Sequence, residues 1–152
     1  MLARAVGRES EGEKLLCEFR RHLTPVPFPT ARPRVYFEEW NDPLITGIAW
    51  VSELIERAGG EDIFADMRSE GSAAGRVVSS EQVLARCPDI ILASWCGKPV
   101  DVDAIAARAR WESLAAVQGR LIREIPGADI LQPGFRLVAG YDRLKRLITE
   151  VQ

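Results

Sequence analysis

Apolar residues between Glu9 and Leu23 recur four apart at Leu15, Phe19 and Leu23, with Leu16 beside them, and this spacing predicts a helix. A stiff connector follows from Thr24 to Pro33, because Pro25, Pro27, Pro29 and Pro33 fix their own φ and push their predecessors toward extended shapes. Arg34 to Glu38 is a short run of β-formers, and Glu39 to Pro43 reads as a loop. Leu44, Ile48, Val51, Ile55 and Ala58 follow the helical period, predicting a helix over Leu44–Ala58 stopped by Gly59-Gly60. Ile63 to Ala65 reads as a short extended piece, and Asp66 to Gly75 as a polar surface loop. Ser79 and Gln82 have the spacing of a capping box, so a helix opens there and ends before Pro88. Asp89 to Ala93 is a continuous apolar run, the pattern of a strand covered on both faces. A helix over Asp101–Arg108, a strand over Arg120–Ile125 and a helix over Gly134–Val151 complete the pattern, the last with Leu137, Tyr141, Leu144 and Ile148 on one face.

Strands separated by helices imply parallel pairing through crossovers. The expected fold class is therefore α/β: a three-layer helix–sheet–helix sandwich with a mainly parallel sheet, preceded by a long helix. In such sheets ligands meet the loops at the carboxyl ends of the strands. Here those loops are Glu39–Pro43, Ser94–Pro99 and Pro126–Pro133, and two of them carry Trp40 and Trp95.

Composition narrows the class. The chain has 152 residues, 47% hydrophobic and 28% charged, which suits one globular domain able to bury about two-thirds of its unfolded surface. Its 20 basic and 22 acidic side chains give a formal charge of -2, with no basic cluster to follow a phosphate backbone, so nucleic acid is not an expected partner. No apolar run approaches a membrane span, and residues 1–14 lack the apolar core of a secretory signal. On that ground the chain as it stands is expected in the cytosol.

Candidate chemistry is sparse. Cys17, Cys87 and Cys96 have no metal-ligand spacing, and Cys17 and Cys87, set in apolar helical patterns, are expected to be buried as small hydrophobes. The single histidine, His22, lies late in a helix, where it complements the helix dipole rather than serving a nucleophile. Glu38, Glu39 and Asp42 crowd oxygen ligands together, yet such a trio is more often solvated than metal-binding. There is no phosphate-binding glycine motif. No catalytic set, metal site or resident cofactor is expected, and the chain does not read as an enzyme.

Three segments, PRVYFEEWNDPLITGIAWVSELIERAGG from Pro33, VSSEQVLARCPDIILAS from Val78 and LQPGFRLVAGYDRLKRLI from Leu131, resemble the substrate-binding proteins of ABC importers for cobalamin and ferric siderophores, the cobalamin-binding branch above all. The resemblance implies a two-lobed parent, of which this sequence matches the connecting helix and proline-rich connector (residues 1–33) and the C-terminal α/β lobe (residues 34–152). It implies a corrinoid or ferric-siderophore ligand, an importer permease as partner, and a periplasmic or cell-surface parent. The N-terminal lobe it implies is not matched, so pairing with that lobe or self-association through the cleft face is a second expected role. An α/β enzyme using Cys96 or the acidic trio is a third and weaker alternative.

The resemblance also assigns residues. Glu81, in the first turn after Val78-Ser79, stands where the family presents a carboxylate to permease arginines. Trp40, Trp95, Cys96, Phe135 and Arg136 are the ligand-facing candidates. Two departures stand out: no aromatic lies between Asp66 and Val78, and Phe135 replaces the proline of the Pro-Gly-Pro-Arg that relatives often carry.

Overall fold

The computed structural model describes residues 2–27 and 30–151, so Pro29 of the proline-rich connector lies outside the described residues. A short helix α1 (Leu2–Ala5) precedes α2 (Glu9–His22). Strand β1 (Arg34–Asn41) turns into β2 (Leu44–Thr46) and then α3 (Ala49–Arg57). Next come β3 (Glu61–Asp62), α4 (Ser80–Ala85), β4 (Ile90–Ala93), α5 (Val102–Ala106), α6 (Ala115–Gln118) and β5 (Ile122–Glu124). Helices α7 (Gly127–Ile130) and α8 (Leu137–Thr149) close the chain.

The sheet runs β2-β1-β4-β5, with β3 beside the start of β1. Pairs β1–β3, β1–β4 and β4–β5 are parallel, and only β1–β2 is antiparallel. Side chains alternate across this sheet as the strand period requires. Val35, Phe37, Ile90 and Leu92 point to a core shared with Val51, Ile55, Tyr141, Leu144 and Ile148 of α3 and α8. Tyr36, Ile91 and Ala93 point to the opposite face, against Phe64, Val83, Ile105, Trp111 and Ala116. Both faces are covered, which is why Asp89–Ala93 reads as an unbroken apolar run.

The expected helix over Leu44–Ala58 is shorter than its stripe. Leu44–Thr46 form the antiparallel strand β2, with Leu44 opposite Asn41 and Thr46 opposite Glu38. A neighbouring strand supplies ladder partners that local periodicity does not register, and Ile45 and Thr46 are β-branched. Glu39–Asn41 likewise belong to β1 rather than to a loop.

The cysteine expectation is also corrected: Cys17 and Cys87 are exposed. Helix α2 buries none of its residues, so Cys17 has no core to enter; only Phe19 and Leu23 lean on the first core, and Leu15 and Leu16 stay 49% and 50% exposed. Cys87 falls beyond the end of α4 at φ +41, its thiol donating to the Leu84 carbonyl.

The connector is bolted to the body. Val26 N–H donates to the Arg57 carbonyl at 2.9 Å, and the Tyr141 hydroxyl shares its proton between the carbonyls of Thr24 (2.8 Å) and Arg57 (2.9 Å). Gly140 lets α8 lie directly on the turn of α7, since a Cβ there would stand 2.3 Å from the Asp129 carbonyl oxygen.

Candidate ligand-binding face

Strands β1, β4 and β5 run parallel and end at one edge, and this edge gathers the sequence candidates unequally. Trp40, next to last in β1, is half-buried, and its indole donates to the Asp42 carbonyl at 2.9 Å. Trp95 lies two residues beyond β4 and is only 6% exposed, its Nε1 donating to Glu38 Oε1 at 3.0 Å. Trp95 therefore packs into the interior while Trp40 is only half-buried. Cys96 is exposed beside it.

Lys98 joins the two rings. Its ammonium lies 4.2 Å from the Trp40 ring centroid and 4.9 Å from that of Trp95, and it donates to Asn41 Oδ1 at 2.7 Å. Gly97 at φ +77 turns the chain so that Lys98 folds back over them.

Beneath the rings lies a carboxylate that water does not reach. Glu38 is fully buried, on the same sheet face as Tyr36 two residues earlier. Arg108 clamps it with two hydrogen bonds of 2.5 and 2.9 Å, and the Trp95 indole supplies a third donor. A buried carboxylate persists only with such partners. Burial first, and then the neighbouring Glu38 charge, push the Tyr36 phenol well above its ordinary value, with Arg108 opposing. The Arg108 guanidinium also lies 4.6 Å over the Trp111 ring, and Trp111 Nε1 donates to Ser80 Oγ at 2.6 Å. Ser80 opens α4, whose capping box is complete: Ser79 and Gln82 each accept from the other's backbone N–H. Glu81 follows, fully exposed, its carboxyl held below the usual range by its own backbone N–H and the Ser79 hydroxyl.

The acidic trio is broken up by arginines. While Arg108 takes Glu38, buried Arg76 donates to Glu39 at 2.7 and 3.1 Å. Among the described residues no group of three or more His, Cys, Asp or Glu is placed to hold a metal ion. Phe135 and Arg136 are not drawn toward the two tryptophans by any contact they make. Phe135 stands edge-on to Phe19 of α2 at 5.4 Å, 59% exposed, and Arg136 folds back on Asp129 at 2.6 and 3.1 Å.

Sequence reasoning did not find Arg108 and Trp111 as partners of this edge. One signal was present: a glutamate two residues after Tyr36, on a strand destined for burial, requires a cation from elsewhere in the chain.

Residues 1–128 match the family described as periplasmic binding protein, and the chain belongs to that family. Among curated proteins it is similar to the vitamin B12-binding protein of Vibrio campbellii, 39% identical over 88 residues, which is 55% of this chain and 30% of that protein. The vitamin B12-binding protein of Vibrio parahaemolyticus matches at 33% over 90 residues, 56% of this chain and 31% of that protein. Among solved structures, a possible iron-binding periplasmic protein from Staphylococcus epidermidis superposes with a TM-score of 0.80 at 22% identity, over 97% of this chain and 58% of that one. The periplasmic vitamin B12-binding protein of Vibrio cholerae superposes with a TM-score of 0.62 at 24% identity, over 96% and 54%. Their likeness is one of fold. The chain spans little more than half of these solved relatives, and its matched segments less than a third of the curated ones.

Membership settles two expectations. The family and its solved relatives are binding proteins rather than enzymes, in line with the reading that no chemistry is performed. The expected cytosolic residence is overturned, because these relatives are periplasmic, and the composition of residues 1–14 does not outweigh that.

Proposed function

We propose that this chain is the C-terminal lobe of a solute-binding protein for an ABC importer, with a corrinoid as its ligand and the permease docked at Glu81. Trp40 carries the reading. It stands at the carboxyl end of β1 in a mainly parallel sheet, fixed by its indole hydrogen bond yet only half-buried, and a flat ring held this way gives large contact area to a macrocycle at little entropic cost. The vitamin B12-binding relatives favour a corrinoid over a ferric siderophore. Cys96 is exposed beside the rings and lies within reach of the same ligand, whereas Phe135 and Arg136 form the rim. Residues 1–33 act as the inter-lobe segment and residues 34–152 as the binding lobe. Glu81 suits a docking contact because it is exposed, ionised and fixed by its cap.

Titration with cyanocobalamin, followed by tryptophan fluorescence and compared with a ferric hydroxamate, tests the reading. Saturable quenching by the corrinoid that is lost in Trp40→Ala supports it; equal quenching in Trp40→Ala refutes the role of that ring.

A second reading has its own observation. Leu15 and Leu16, midway along α2, and Phe135 beside them are exposed large apolar side chains, which favours a companion lobe or a second copy covering them. Sedimentation of the chain with and without Leu15→Ser and Leu16→Ser tests this: a dimer dispersed by the pair supports self-association.

A further inference from the structure

Lys98 is placed unlike a solvated surface lysine. Its ammonium is held by three neighbours at once, the faces of Trp40 and Trp95 at 4.2 and 4.9 Å and Asn41 Oδ1 at 2.7 Å. Only the last accepts a hydrogen bond. An ammonium has three N–H groups, and aromatic faces attract the charge without satisfying them. Among the described residues no carboxylate forms an ion pair with Lys98, and Glu38 and Glu39 of β1 are each claimed by an arginine. The side chain is exposed, and its two remaining N–H groups have no hydrogen-bond partner among the described residues, beside half-buried Trp40. The result is a cation fixed in position, next to the ring proposed to carry the ligand.

We propose that Lys98 contacts the ligand directly and sets its charge class: the site takes a macrocycle bearing an anionic group, phosphodiester or carboxylate, and discriminates against the same ring without it. This rests on the Trp40 reading and deepens it. A point cation already ordered by two rings loses little freedom when it meets an anion, and a charge-assisted hydrogen bond is the stronger kind.

Two ligand pairs and two variants test the proposal. Cyanocobalamin carries a phosphodiester that dicyanocobinamide lacks, and hemin carries two carboxylates that its dimethyl ester masks. The anionic member of at least one pair is expected to bind roughly tenfold tighter. Lys98→Met is expected to erase that difference by weakening the anionic member alone, and Lys98→Arg to retain it. The preference should shrink as salt is raised. Which pair responds identifies the phosphodiester or the carboxylate as the anion. Because Lys98 is exposed, Lys98→Met is expected to fold as the parent does, checked by circular dichroism. Equal affinities within both pairs, or tighter binding of every ligand in Lys98→Met, would overturn the proposal while leaving the Trp40 platform standing. Binding of none of the four by the folded chain would overturn the platform, and Lys98 with it.

Discussion

Removing Arg108 should destabilise the fold out of proportion to the size of the side chain. Arg108→Met keeps most of the aliphatic bulk but takes two hydrogen bonds, of 2.5 and 2.9 Å, from a carboxylate with no exposed surface. The Trp95 indole donor remains. Breaking a buried pair at one end costs about 3–5 kcal/mol, because the surviving charge stays in a medium that does not solvate it. Against a total stability on the order of 5–15 kcal/mol this is a large share, and it corresponds to a fall in Tm of about 10 °C or more for a chain of this length. Guanidinium unfolding, followed by circular dichroism, should show a lower midpoint with an unchanged slope. The double variant Glu38→Leu with Arg108→Met should recover much of the loss, since it leaves no charge behind. A loss in Arg108→Met below about 1 kcal/mol, or a double variant no better than the single one, would refute the argument.

Other predictions follow from particular contacts. Hydrogen bonding from Arg86 holds the Asp66 carboxyl below its ordinary value, so the pair's stabilisation is present above the unfolded carboxylate range and is lost as pH falls through the lower folded value; Asp66→Asn should flatten that acid limb and cost no more than about 1 kcal/mol at neutral pH, read by thermal melts across pH. Asp62 has the opposite sign: burial raises it, so its contribution is full at low pH and is lost as pH rises through the folded value, and Asp62→Asn should remove that slope in the same melts. Gly140→Ala should lower stability by about 1–3 kcal/mol or prevent folding, since its Cβ meets backbone of α7 at 2.3 Å; a variant with parental Tm would contradict the close approach. Trp111→Phe, which removes the donor to Ser80 Oγ, should cost about 1 kcal/mol, measured by chemical unfolding.

The layers of the fold were legible where local pattern and tertiary demand coincide. The capping box at Ser79 and Gln82 is satisfied within four residues of chain, and the apolar run Asp89–Ala93 contains the central strand Ile90–Ala93. The hairpin of β1 and β2 was not legible, because Leu44 and Ile48 also satisfy a helical spacing and only the neighbouring strand decides between the two. Two candidates, Trp40 and Trp95, do meet across Lys98, since the parallel topology brings strand ends to one edge. The division of labour between them was hidden. Trp95 is turned inward by Glu38, and Glu38 is held by an arginine 70 residues away, a pairing that no short-range pattern encodes.

The path from Trp95 through Glu38, Arg108 and Trp111 to Ser80 constrains how this fold can diversify. Trp95 shares its polar atom with a carboxylate that also anchors the start of a capped helix, so re-aiming that ring for a new guest disturbs the helix as well. Trp40 and Lys98 are polar-bonded to the turn at Asn41 and Asp42 and to no buried charge. Under the proposed function, drift at those two positions disturbs the interior less than drift at Trp95, and they are where the scaffold would exchange guests at the smallest cost to its own folding.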